Sequence, residues 1–344
     1  MIEFESHQVV HEVLASLPFT FGFAPRESVV FTTVALEPGC LTIGASARLD
    51  LSDLEHPAAV NAVDHVCSAL LRTGADSALV TVHTEREIGP WVFELADLVT
   101  ARWPFLEHGG YHVLSAGTIH GFAPDGEPRG THDALELLTT RVAMSQPAQA
   151  FVRGPEDFRV ARVPTGEMAE RVAAELDRLP PACPSHEEST LWWAAVERGS
   201  PRGSRMRARL LRALDHIPFR DGVIAAAVSG NSGGDLTWQN AAFDDPLPPD
   251  RDMLERVQGV LEGVARHAPP GRAVSPLAVA AYLAWWSGDG ARARVLAEQA
   301  LEEDPDHSLA GLVRDALARA CPPPWFPLAG PALHEPRSSA RNGW

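Results

Sequence analysis

The hydrophobic pattern changes character about halfway along the chain, and this change constrains the fold more than any other feature. Over residues 1–150, short β-branched segments alternate with segments whose apolar residues recur at helical spacing. From about residue 165 onward the strand pattern nearly disappears and helical spacing dominates. A chain of 344 residues also exceeds the size of a typical single core. The sequence therefore predicts an α/β domain followed by an all-α domain.

The N-terminal region has the element order of a mixed sheet. The predicted elements are a helix over 10–17 that ends before Pro18, strands over 28–34 and 41–49, a helix over 60–71, a strand over 78–82, a helix over 88–99 and a strand over 111–119. The first two strands fit a hairpin. The later strands are separated by helices and need crossover connections, so we expect a partly parallel sheet covered by helices.

The predicted domain limits follow the same change in pattern. We expect the α/β domain over 1–150, a connector over 151–164 and the helical domain over 165–321. Within it, residues 274–307 resemble a tetratricopeptide-like helix pair, because Gly288, Ala293 and Ala297 have the spacing of the small residues in that motif. The tail over 322–344 is rich in proline, serine, glycine and arginine, and we expect it to be disordered.

The charge composition excludes several functions. The chain has 29 basic and 45 acidic residues, a net charge of −16, and every basic residue is arginine. Lysine-dependent chemistry is therefore excluded, and so large an acidic excess argues against general nucleic-acid binding.

The N-terminus lacks the pattern of a secretory signal, and the longest apolar stretch, about 277–286, is too short to span a membrane. We expect a soluble cytoplasmic protein with no membrane association.

Three separated segments resemble an actinobacterial family catalogued as domain of unknown function 4192. They are LASLPFTFGFAPRESVVFTTV (15–34) leading to ARLDL (47–51), RALDHIPFRDGVIA (212–225), and AYLAWWSGDGARARVLAEQALEEDPDHSLAGLVRDALARACPPPW (281–325). The resemblance touches both predicted domains. It implies an architecture and a bacterial lineage, and it implies no particular chemistry.

One polar cluster suits a site at the edge of the predicted sheet. His83 and Glu85 follow the strand over 78–82, at the carboxyl end where ligands bind in parallel sheets. His112 lies on the last predicted strand and His120 directly follows it, so both would line the same region. A histidine beside a carboxylate can move protons near neutral pH, so His83, Glu85 and His120 are the candidate catalytic residues of a hydrolase-type enzyme. The simpler alternative is that His83 caps the strand while Glu85 and Arg86 solvate the start of the next helix.

The helical domain has its own candidate binding residues. Arg205, Arg209 and Arg212 recur at helical spacing and would form one stripe that binds a carboxylate-rich partner or a phosphate, unless acidic neighbours bridge it. Trp193 and Trp286 belong to the adjacent pairs 192/193 and 285/286. Adjacent helical residues point about 100° apart, so one ring of each pair should enter the core while the other seals a groove.

No metal or cofactor is expected from the sequence. His7 and His11 are four residues apart, but Glu12 lies outside the pair rather than between the histidines as in HExxH, and Cys183 and His186 lack a second ligand pair. The helix-pair unit, the tryptophan pairs and the lack of a catalytic signature favour a non-catalytic or regulatory protein-interaction module with a protein partner. The hydrolase-type enzyme is the alternative.

Overall fold

The structure is a computed structural model. It describes residues 7–37, 40–54, 59–73, 77–101, 110–123, 126–140, 155–180, 186–230, 233–234, 236, 248–319 and 321–325. These residues fall into two compact units. The α/β unit contains residues 7–15 and 26–140, and the helical unit contains residues 16–25 and those from 155 to 325. The domain limits predicted from the sequence remain a prediction.

The α/β unit is built on a six-stranded mixed sheet. Its strands are β1 (Ser28–Glu37), β2 (Cys40–Asp50), β3 (Ala78–Thr84), β4 (Tyr111–Ser115), β5 (Thr118–Phe122) and β6 (Pro128–Asp133). They lie in the order β2-β1-β3-β4-β5-β6. Strands β3 and β4 are parallel, and the other neighbours are antiparallel. The predicted partly parallel sheet and its β1–β2 hairpin are confirmed.

Helices accompany the strands in the expected order. They are α1 (His7–Phe21), α2 (Leu51–Leu54), α3 (Ala59–Leu71) and α4 (Pro90–Thr100), and a 3₁₀-helix over Ala134–Thr139 follows β6. Helix α1 lies over one face of the sheet, where Val13 packs against Val34 of β1 and Leu79 of β3. Strand β3 is buried along its whole length, as its continuous apolar and β-branched sequence requires.

Two local predictions were wrong, and one strand was missed. The single strand predicted over 111–119 is a β4–β5 hairpin, because Ala116 (φ 48°) and Gly117 (φ 78°) form a left-handed turn. Strand β6 was not predicted, because its sequence PRGTHD has no apolar residue. Helix α1 does not end before Pro18 but continues to Phe21. The Thr20 hydroxyl donates to the Ser16 carbonyl at 3.1 Å in this last turn.

The helical unit follows as a run of eight helices among the residues that the structure describes. They are α5 (Glu167–Arg178), α6 (His186–Arg198), α7 (Gly203–Leu214), α8 (Ile217–Ser229), α9 (Arg251–Arg266), α10 (Val274–Trp286), α11 (Gly290–Glu303) and α12 (Ser308–Ala318). A single apolar core joins them. The predicted helix pair over 274–307 is α10 and α11, and Ala293, Ala297 and Ala300 are fully buried in α11.

Residues 159–163, which precede α5, are held against the helices by backbone and side-chain hydrogen bonds. Gln299 of α11 donates its side-chain amide to the Val160 carbonyl and accepts from the Val160 N–H, both at 3.0 Å. The Val163 N–H donates to the Arg266 carbonyl at 2.7 Å. Arg159 pairs with Glu302 on α11. Residues 159–163 therefore pack as part of the helical unit.

Two other expectations concern the chain ends and membranes. Of the predicted tail, residues 326–344 lie outside the described part of the chain, whereas the Trp325 indole donates to the Trp286 carbonyl at 2.7 Å. The side chain of His7 and the whole of Cys183, which were considered as metal ligands, also lie outside the described part of the chain. Every helix within the described ranges is too short or too polar to cross a membrane.

Candidate functional site

His83 lies inside the α/β unit rather than at its surface. Its side chain is 4% exposed, and Nε2 lies 3.0 Å from the Thr81 hydroxyl on the same strand. Burial, helped by the positive charge of Arg48, lowers the pKa of His83 to about 3. The imidazole is therefore neutral near pH 7 and a weak base, which is unfavourable for moving protons at that pH.

The strand registers separate the candidate catalytic residues. His83 is aligned with Leu114 of β4, whereas His120 of β5 is aligned with Val113. Neighbouring residues on a strand point to opposite faces, so His83 and His120 lie on opposite faces of the sheet. His112 is aligned with Thr81 and shares the His83 face.

Glu85 lies beyond the end of β3 and is exposed. Its backbone N–H donates at 2.8 Å to the Glu27 carboxylate, which also accepts from the Thr84 hydroxyl at 3.0 Å. Arg86 pairs with the same carboxylate at 3.1 Å. Glu27 has a φ of 40°, a strained value that these bonds help to hold. This edge of the sheet is thus a structural junction between β1 and β3.

The arginine stripe of α7 divides into supporting and exposed residues. Arg209 pairs with Glu187 and with Glu188 of α6, each at 2.9 Å. Arg212 donates to the Leu176 carbonyl of α5 at 3.1 Å. Arg209 and Arg212 therefore tie α7 to its neighbours. Arg209 does so through acidic side chains and Arg212 through a backbone carbonyl. Arg205 is exposed and has no carboxylate partner within the described ranges.

Arg205 belongs to a second group that we call the α6–α7 arginine group, formed by Arg198, Arg202 and Arg205. Arg198 ends α6, Arg202 caps the start of α7 and Arg205 lies in the first turn of α7. All three are exposed, and none pairs with a carboxylate among the residues described. The first turn of α7 contains no acidic residue. Cations at a helix N-terminus oppose the helix dipole, so α7 does not offset the charges of Arg202 and Arg205. Arg198 lies in the last turn of α6 and donates to the Ala194 carbonyl at 2.7 Å.

The tryptophan pairs place one ring in the core and one near the surface. Trp192 is fully buried, and Trp193 is half-buried with its indole donating to the Gly234 carbonyl at 3.0 Å. In the second pair Trp286 is the core residue, at 1% exposure, and Trp285 is half-buried. A fully buried ring has no surface to offer a partner, which leaves Trp193 as the candidate binding tryptophan with surface area.

A group that the sequence does not connect meets at one end of the sheet. His11 of α1, His132 of β6 and Glu136 of the following 3₁₀-helix place one ligand atom each within 4.8 Å of the other two. His11 Nδ1 lies 3.6 Å from Glu136 Oε2, and the two imidazole rings pack edge to face with centroids 5.4 Å apart. We call this group the His11–His132–Glu136 cluster.

The turn after β6 brings the cluster together. The Asp133 carboxylate accepts from the Leu135 N–H at 2.8 Å, capping the 3₁₀-helix directly after the strand. His132 of β6 is aligned with Ile119 of β5, and this line of aligned residues continues through β4 to His83 of β3. Aligned residues share a face of the sheet, so His132 lies on the same face as His83, which is the face that α1 covers. The sequence alone predicts no metal site at His11 and assigns no role to His132 or Glu136. No sequence signal links α1 to β6.

Comparison with known proteins gives a family but no activity. Residues 11–132 and 121–324 match the family model described as Domain of unknown function (DUF4192). No curated protein and no solved structure matches the chain.

Proposed function

The chain belongs to the DUF4192 family, and we propose that it is a non-catalytic or regulatory protein-interaction module whose helical unit binds an acidic partner. The observation that carries this proposal is the α6–α7 arginine group, which is exposed and lacks carboxylate partners among the described residues. An exposed guanidinium that lacks a carboxylate partner within its own chain's described residues can form charge-assisted hydrogen bonds with a carboxylate of another molecule.

The net charge of −16 favours one orientation of the partner on this surface. Most of an acidic surface repels an acidic partner, so a local positive group selects one way of docking. The same overall charge disfavours the long phosphate backbone of a nucleic acid. We therefore take the partner to be a protein segment rich in aspartate and glutamate.

The other predicted binding residues support the surface in different ways. Arg209 and Arg212 hold α7 against α6 and α5, and so fix the helix that carries Arg205. Trp193 contributes a half-buried aromatic surface on α6. The same proposal includes a tetratricopeptide-like character of the α10–α11 pair, which the spacing of its small residues supports. It also includes an actinobacterial source, supported by the sequence resemblance and the exclusive use of arginine, and a cytoplasmic location.

The hydrolase alternative requires His83, Glu85 and His120 to act together. The registers place His83 and His120 on opposite faces, and the lowered pKa of His83 leaves it a weak base. We therefore favour the interaction module.

A pair of triple variants tests the proposal. In the first, Arg198, Arg202 and Arg205 become glutamine. In the matched control, Arg171, Arg178 and Arg294 become glutamine; these also lie on helices of this unit but pair with carboxylates. The probe is a labelled peptide rich in aspartate and glutamate, followed by fluorescence anisotropy at two salt concentrations.

Only the first triple variant should weaken binding of the peptide. Three exposed charge contacts at about 0.5 kcal/mol each amount to about 1.5 kcal/mol, or roughly a tenfold loss of affinity. Wild-type binding should also weaken as salt rises. Equal losses in both triple variants, or no binding by the wild-type chain, would contradict the proposal. Capture from cell lysate with the same three proteins would then identify the natural partner.

A further inference from the structure

We infer that the His11–His132–Glu136 cluster is a binding site for a first-row divalent metal ion, with Zn²⁺ as the best match. Two imidazoles and one carboxylate form the ligand set, and this combination of nitrogen and oxygen donors suits Zn²⁺ and also Fe²⁺ or Co²⁺. The proposal is independent of the arginine surface, because the three ligands all belong to the α/β unit.

The distances are close to those of a bound metal. Ligands of a tetrahedral zinc ion with bonds of roughly 2.0–2.1 Å lie about 3.3 Å from one another. His11 Nδ1 and Glu136 Oε2 are already 3.6 Å apart, and all three ligand atoms lie within 4.8 Å. Small side-chain rotations therefore suffice to close the three ligands around one ion.

The exposure of the ligands fits a site with an entrance. His11 is buried at 8% exposure, His132 is half-buried, and the Glu136 side chain is 54% exposed. One side of the cluster is thus held in the protein interior, while the carboxylate faces solvent. Three protein ligands leave at least one coordination position for water or a small ligand, as in catalytic rather than structural zinc sites.

The positions of the ligands make the site depend on the fold. Each ligand comes from a different element, namely α1, β6 and the 3₁₀-helix, so a bound metal would join the N-terminal helix to the last strand of the sheet. An ion that binds only the folded arrangement stabilises it. The cluster therefore predicts a zinc-dependent rise in the melting temperature.

The test uses the full chain, freed of metal with a chelator and then titrated with Zn²⁺ by calorimetry. Glu136→Gln is the main variant, because the side chain is half-exposed and glutamine keeps its shape; His132→Gln is the second. His65→Gln is the control, because it removes an exposed histidine on α3 away from the ligand set. Co²⁺ substitution, read by visible absorption, reports the coordination geometry.

We expect wild type and His65→Gln to bind one Zn²⁺ per chain with a matching rise in melting temperature. Changes to outer-shell partners of a metal already weaken affinity about 10- to 100-fold, so Glu136→Gln should lose about 100-fold or more. Equal affinity of wild type and both ligand variants would overturn the site. So would a wild-type chain without a stoichiometric site, which would leave His11 and Glu136 as an ion pair only.

Discussion

The two units bury different kinds of polar side chain. The α/β unit encloses two histidines, His11 and His83, whereas the buried polar side chains described in the helical unit are serines and glutamines. The helical unit keeps its charged groups outside its core, many of them in arginine–carboxylate pairs such as Arg209–Glu187. An imidazole removed from water must be neutral or held by a partner. Ionisable side chains are therefore found in the interior of the α/β unit but outside the core of the helical unit.

The largest expected effect tests the apolar core of the helical unit. Trp192 is fully buried and packs edge to face on Phe219, with ring centroids 6.4 Å apart. Trp192→Ala should lower the free energy of unfolding by about 3–5 kcal/mol, measured by urea denaturation. Trp193→Ala is the matched control and should lose well under half as much, because its ring is only half-buried. Equal losses would contradict the division of this pair into one core ring and one ring near the surface.

The second prediction tests the buried histidine of the α/β unit. The pKa of His83 is lower in the folded chain, about 3 against an ordinary 6.5, so the unfolded chain takes up the proton first as the pH falls. Stability should therefore fall with pH between 6.5 and 3, and by pH 5 this group alone should account for a loss of about 2 kcal/mol. His83→Gln should remove that part of the pH dependence.

The measurement is the free energy of unfolding at pH 7 and pH 5 for wild type and His83→Gln. His65→Gln, an exposed histidine variant on α3, should keep the slope of the wild type. A slope unchanged by His83→Gln would mean that the interior of the α/β unit tolerates a charged imidazole.

The smallest expected effect separates supporting from recognising arginines in α7. Arg209→Gln should lower the free energy of unfolding by about 1 kcal/mol, because it breaks partly buried bonds to Glu187 and Glu188. Arg205→Gln should change it by less than about 0.5 kcal/mol. A double-mutant cycle with Glu188→Gln measures the Arg209 coupling directly. If Arg205 proves as important for stability as Arg209, the arginines do not divide into two roles.

Much of the fold could be predicted from the sequence because burial leaves a periodic pattern. The β1–β2 hairpin, α3 and β3 all carry apolar residues at the spacing of their element, and the structure contains each of them. Strand β6 could not be found in this way. It lies at the edge of the sheet and its residues are mostly exposed, so it needs no apolar face.

The missed strand is also why the candidate metal site could not be predicted. His132 stands on β6, and Glu136 follows in a turn whose direction depends on the Asp133 cap. His11 lies far away in sequence, and its approach depends on α1 packing across the sheet. Residues that are far apart in sequence and come together only in the folded chain leave no local sequence pattern. By contrast, the division of the tryptophan pairs into one core ring and one surface ring follows from helical geometry alone.

The paired bonds between Gln299 and Val160 also decide where the chain can be divided. The amide side chain acts toward Val160 as the backbone of a neighbouring strand would, offering one donor and one acceptor at matching positions. A helical fragment that began at residue 165 would lose both bonds, at about 1 kcal/mol each. The natural starting point for an independent helical fragment is therefore upstream of Arg159, before the segment that completes it.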